Sequence, residues 1–176
     1  ELIETGRYEN IGSKFLYVNP AATVPVLLHN GHPVYESHEQ IRYLAKQIDR
    51  RNLLVPLDQE QRVLMNKWIE KSSLIGDNPI AALRETAGNA VPGLTLPIFA
   101  AMLKHVPVYR ILEGLLFHRI KTRAFFFLMM KIAGLDRTVR IEPVKKIIHS
   151  SFDSMSEHLD QLERQLGVSG GPWICG

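Results

Sequence analysis

The chain has 176 residues, of which 45% are hydrophobic and 22% charged, enough apolar surface for one large domain or two small ones. Its single cysteine, Cys175, excludes an internal disulfide and fits a reducing compartment. The formal charge of +3 is unevenly spread: from Lys104 to Arg140 eight Lys or Arg face only Glu113 and Asp136, so that stretch carries +6 and the remainder −3.

Residues 1–13 are polar, hold two glycines and show little periodicity, so they are expected to be a surface connection. Lys14 to Val18 reads as a short helix or as the lead-in to Asn19-Pro20. Val24, Val26 and Leu28 then alternate with Pro25, Leu27 and His29, which predicts a short strand starting at the Val24-Pro25 bond. Asn30-Gly31 is a hairpin dipeptide whose residues accept positive φ. A second strand, His32 to Tyr35, follows. Ser37 with Gln40 three residues on has the form of a capping box, and Tyr35 is placed to staple onto Ile41. Behind that cap Ile41, Leu44, Ala45 and Ile48 form one face of an amphipathic helix.

Charges and a proline make Asp49 to Leu57 a linker. Asp58 is expected to cap the next helix, with Glu60 and Gln61 in its first turn and Leu64, Trp68 and Ile75 on one face. Gly76 and Asn78-Pro79 would stop it. The uncharged run from Thr86 to Leu103 is 18 residues, near the length of a membrane span, but Gly88, Pro92, Gly93 and Pro97 argue against one. Helices are expected over Phe99 to Leu116 and Arg119 to Ile132. Glu142-Pro143 opens the clearest helix: Val144, Ile148, Phe152, Met155, Leu159, Leu162 and Leu166 recur in steps of four and three, the seam of a helix bundle. Gly167 is its expected C-cap.

Two places can carry chemistry. An X-Pro bond between an extended connection and a strand, here Val24-Pro25, is a candidate cis peptide; the alternative is an ordinary proline opening an edge strand. At Glu36-Ser37 a strand becomes a helix, where free N–H groups and the dipole favour an anion and a serine hydroxyl adds a donor. Glu36 would attract an adjacent ammonium; the alternative is that Ser37 merely caps its helix. His29, His32 and His38 surround the hairpin without the spacing of a zinc site, so a solvated turn is expected. Cys175 has no activating partner and reads as structural. Paired carboxylates, a Ser-His-Asp order and a phosphate loop do not stand out. The basic stretch Lys104 to Arg140 has three readings: a solvated helical surface, a face for anionic membranes or acidic partners, or the lining of a pocket for acidic electrophiles. No nucleic-acid motif accompanies it.

Asn19-Pro20, then Val24-Pro25-Val26-Leu27, then Glu36-Ser37 with Ile41, Tyr43, Leu44 and Ala45 resemble the glutathione-binding half of the cytosolic glutathione S-transferase family. The end, Gly171-Pro172-Trp173-Ile174-Cys175-Gly176, resembles that family's Pro-Trp-Leu-x-Gly segment, and the long middle resembles the ganglioside-induced differentiation-associated subgroup. The resemblance implies an α/β plus all-α fold: a partial thioredoxin-like domain over residues 1–48, a linker over 49–57 and a truncated helical-bundle domain over 58–176. It implies a cis bond before Pro25, a structural residue, and backbone pairing of Val24 with the cysteine of glutathione. It places the γ-glutamyl group at Glu36 and Ser37, and puts His38 where some members have a carboxylate-binding arginine. Ala22 departs from the polar or basic residue common there.

The resemblance further implies glutathione as co-substrate, a small electrophile, no metal and no nucleic acid, a homodimer, and a cytoplasmic location with peripheral membrane association as the alternative. The family's catalytic Ser, Tyr or Cys ends a first strand that has no counterpart before Asn19. No catalytic residue is therefore expected in this chain, which reads as a fragment lacking the first strand and the last helices. The expected function is conjugation of the glutathione thiolate, the nucleophile, to an electrophile. The alternative is a non-catalytic transferase-like binding or membrane-associated protein.

Overall fold

The computed structural model describes residues 2–51, 54–76, 81–118, 121–171 and 173–175. Expected features at Asn52 and Leu53 of the linker, at Asn78-Pro79, Arg119, Pro172 and Gly176 lie outside the described residues. In chain order the elements are α1 (Ser13–Val18), β1 (Leu27–His29), β2 (His32–Val34), α2 (Ser37–Gln47), α3 (Gln59–Ser72), α4 (Ala87–Leu94), α5 (Leu96–Leu103), α6 (Val108–Phe117), α7 (Lys121–Ala133), α8 (Leu135–Thr138) and α9 (Glu142–Ser169). They gather into two units: Glu1–Arg50 with Pro97–Val139, and Arg51–Leu96 with Arg140–Gly176.

In the first unit β1 and β2 pair antiparallel, Leu27 opposite Val34 and His29 opposite His32. Asn30 and Gly31 take φ of 51° and 81°, the two positive angles a two-residue hairpin needs. The strands are shorter than the alternation suggests. Pairing starts only at Leu27, after the bend at Val24-Pro25, and stops at Val34 before the backbone reverses at Glu36.

The first dozen residues are not a surface connection. Two 3-10 turns, Thr5–Arg7 and Glu9–Ile11, bring Tyr8 and Ile11 into the core with Phe15 and Leu16 of α1. The pattern is invisible to helical or strand periodicity because tight turns bury single residues. Two glycines permit the packing. Arg110 lies against Gly12, and a Cβ on Gly114 of α6 would come within 3.1 Å of Ile11 and 3.3 Å of Ala124. α6 and α7 therefore meet with little side chain between them. Tyr8 packs edge-on to Phe127, 5.1 Å between ring centres, and Phe127 lies 6.0 Å from Phe99. Leu103, Val106 and Ile111 are fully buried. The single helix expected over Phe99 to Leu116 is divided: α5 ends at Leu103, and Pro107, whose ring cannot continue a helix, becomes the N-cap of α6.

In the second unit α4 packs along α9 and against α3. Asp58 caps α3 as expected, its carboxylate accepting from the Gln61 amide at 2.9 Å. α4 runs through Gly88, Pro92 and Gly93, which the sequence suggested as breakers, and its two glycines each face a crowded neighbour. Gly88 abuts the backbone of Ser72 and Ser73, and Gly93 abuts Ser151. Buried Thr86 donates to the Ser73 carbonyl at 2.6 Å, and buried Asn89 accepts from the Ile75 amide at 3.1 Å while donating to the Ala82 carbonyl at 3.1 Å. The seam of α9 is consequently rotated from the hydrophobic stripe. Val144, Ser151 and Ser154 are buried, Phe152 and Leu159 are exposed, and Ser154 donates to the Leu83 carbonyl at 3.1 Å. Glycine opposite serine lets two helices approach more closely than leucine would allow. α9 also runs past Gly167 to Ser169, and Gly170, with φ of 68°, supplies the left-handed cap. Among the described residues no helix is long and apolar enough to cross a membrane.

Candidate functional site

The hairpin and α2 form the candidate site, and two buried amides shape it. Asn19, 2% exposed, governs the turn before the strand. Its side-chain oxygen accepts from the Ala21 amide at 3.1 Å, and its side-chain nitrogen donates to the carbonyl and hydroxyl of Thr23 at 2.8 and 3.0 Å. The chain turns back at Ala22, which takes φ of 60° and whose carbonyl accepts from Asn10 at 2.9 Å. The Val24-Pro25 bond that follows is cis, and both residues are exposed.

The second shaping residue is Gln40, 8% exposed and one turn into α2. Its side-chain nitrogen donates to the carbonyls of Pro25 at 2.8 Å and Val34 at 3.0 Å. The expected capping box therefore does not form. Ser37 is the first residue of the helix, Glu36 is the N-cap and supplies no side-chain bond, and Gln40 is turned towards the strands. Its amide is already satisfied by the Glu36 carbonyl at 3.0 Å, so its side chain is free for that work. Tyr35 adds a tie, donating to the Val18 carbonyl at 2.8 Å.

These bonds hold Val24 and Pro25 at the same end of the hairpin as Glu36 and Ser37. All four are exposed. The mouth of α2, eleven residues long, presents amides that no Glu36 side chain caps, the arrangement that favours an anion. Glu36 has φ of 60° and ψ of 125°, a conformation seldom taken by a residue with a side chain. His38 lies with its Nε2 3.5 Å from the carboxylate of Glu39, which also pairs with Arg42. Of the other hairpin histidines, His29 bonds the Tyr43 hydroxyl through Nδ1 at 2.7 Å. Among the described residues no three His, Cys, Asp or Glu are grouped to hold a metal ion.

Neither amide was recognisable as a site former from periodicity. Asn before Pro is a turn signal, but Gln40 looked like a capping partner. The apolar face of α2 is present but open, with Ile41 and Ile48 exposed. In the second unit Cys175 borders an apolar cavity of about 440 Å³ with Met65, Trp68, His158 and Ile174, and its carbonyl accepts from Gln61 at 3.0 Å.

Residues 1–47 match the glutathione S-transferase N-terminal domain. That segment, about a quarter of the chain, is similar to the glutathione S-transferase family. A relative, glutathione S-transferase U22 of Arabidopsis thaliana, is 35% identical over 68 residues, which cover 36% of this chain and 31% of the relative. The match thus spans about a third of the curated relative's length. No solved structure gives a significant match. The hairpin, the helix behind it and the cis bond form a partial thioredoxin-like domain of the transferase type, and helices make up most of the rest of the chain.

Proposed function

We propose that this protein binds glutathione across the end of the hairpin, with the cysteine backbone of the tripeptide paired to Val24 and its γ-glutamyl carboxylate at the mouth of α2. The observation that carries this reading is the pair of Gln40 bonds, which keep a sheet edge and a helix N-terminus in fixed relation. An extended peptide needs an unpaired strand edge, and an α-carboxylate needs unsatisfied amides; both stand exposed here. Ser37 supplies a hydroxyl donor, Glu36 a counter-charge for the α-ammonium, and His38 a flanking group. Pro25 has no N–H to donate, so backbone pairing with the tripeptide falls to Val24.

Glutathione then acts as co-substrate, its thiolate attacking a small electrophile held by the helical part. We assign the partial domain to residues 1–48, the connection to 49–57 and the helical domain to 58–176, and we place the whole protein in the cytoplasm as a homodimer. No residue of this chain is assigned the stabilisation of the thiolate. Calorimetric titration of glutathione into the chain and into Ser37→Ala tests the site. Loss of about tenfold in affinity without loss of stability is expected, and equal affinities would refute it.

A further inference from the structure

We propose that the outer face of α6, bounded by a lysine at each end, is a docking surface for an anionic lipid membrane. This rests on the first unit alone and not on glutathione binding. α6 is apolar on two opposite sides. The inner side, Ile111 and Gly114, is buried against Ile11 and Ala124. The outer side presents Val108, Leu112 and Leu116 at intervals of four residues, with Tyr109 beside them. All are exposed, Leu116 to 69%. A helix resting on water would carry polar residues there.

The charges that flank α6 at Lys104 and Lys121 are both positive. On α6 itself Arg110 and Glu113 pair with each other at 2.6 Å and cancel. Lys104, exposed, stands four residues before Val108. Lys121 donates to the Leu116 carbonyl, which fixes its ammonium beside the last residue of the stripe. On α7 the exposed side chains Phe125 and Ile132 share the helical face of Lys121. An apolar stripe ended by ammonium groups fits the boundary between acyl chains and anionic headgroups, where a helix lies flat. A second copy fits poorly. Two-fold pairing of the stripe antiparallel to itself would set the Lys104 end of one copy against the Lys121 end of the other.

Flotation with phosphatidylcholine vesicles, with and without phosphatidylserine, tests the proposal. The chain is expected on phosphatidylserine vesicles only, and less of it as salt rises. Leu112→Gln with Leu116→Gln should reduce retention about tenfold or more, since both apolar contacts are lost. Lys104→Gln alone should reduce it about fivefold and, with Lys121→Gln, about twenty-fivefold, with a shallower salt dependence. All these positions are exposed, and circular dichroism checks that the helices remain. Absence of phosphatidylserine-dependent retention, or retention unchanged in both pairs of variants, overturns the proposal. So does a dimer in sedimentation velocity that the leucine variants dissolve.

Discussion

Gln40→Leu nearly keeps the volume of the side chain and removes both of its donors, so it isolates the two bonds that join α2 to the strands. Each such bond contributes about 1 kcal/mol net, and the freed carbonyls of Pro25 and Val34 remain beside a leucine that cannot donate. The greater apolar burial of leucine returns part of that, leaving an expected loss of roughly 1–2 kcal/mol. For a chain of this length that corresponds to a fall in Tm of roughly 3–6 °C, read by far-ultraviolet circular dichroism. The second readout is glutathione titration. With the corner loosened, Val24 and Ser37 lose their fixed spacing, and affinity should drop about tenfold, although residue 40 lies behind the proposed contacts. Ser37→Ala should lose affinity and keep its melting temperature, which separates contact from support. A Gln40→Leu variant as stable as the parent, with the same affinity, would refute the reasoning.

Three further outcomes follow from positions described above. Ala22→Gly should stabilise by about 0.5 kcal/mol, since the cost of a left-handed alanine exceeds the extra chain entropy of glycine; a denaturant midpoint that falls would contradict this. Tyr8 is buried with no partner for its hydroxyl among the described residues, and burial raises its pKa above the ordinary phenol value. The unfolded chain therefore releases this proton first, so stability should fall as pH rises above about 10, and Tyr8→Phe should remove that slope while costing nothing near neutrality. Gly88→Ala should destabilise by about 2 kcal/mol or more, because the new Cβ would lie 2.6 Å from the Ser73 backbone; an unchanged urea midpoint would show that α3 and α4 can part.

Local signals were legible wherever the physics is local. Asn30-Gly31 specified its hairpin, Asp58 its helix cap and Glu142-Pro143 the start of α9, because each acts within a turn of chain. The ordered residues from Asn19 to Ala45 pointed to the partial thioredoxin-like domain. What was not legible depends on partners far along the chain. The burial of Tyr8 requires Phe127, the seam of α9 requires Gly93 opposite Ser151, and the helical state of Pro92 requires the neighbours of α4. Gln40 belongs to the same class. Its spacing from Ser37 suggested a cap, and only the nearness of two carbonyls from the strands redirects it.

Glu36 is the one place at the helix mouth where backbone comfort and side-chain chemistry disagree. Glycine would relax the corner, yet the chain keeps a carboxylate there in a tense backbone, at a cost of about 1 kcal/mol or more. Neighbours on both sides are pinned, by Tyr35 to α1 and by Gln40 to the strands, so the tension has nowhere to dissipate. In the binding proposed above, a corner so held would meet glutathione already shaped, and a guest of the right length would pay little to order it.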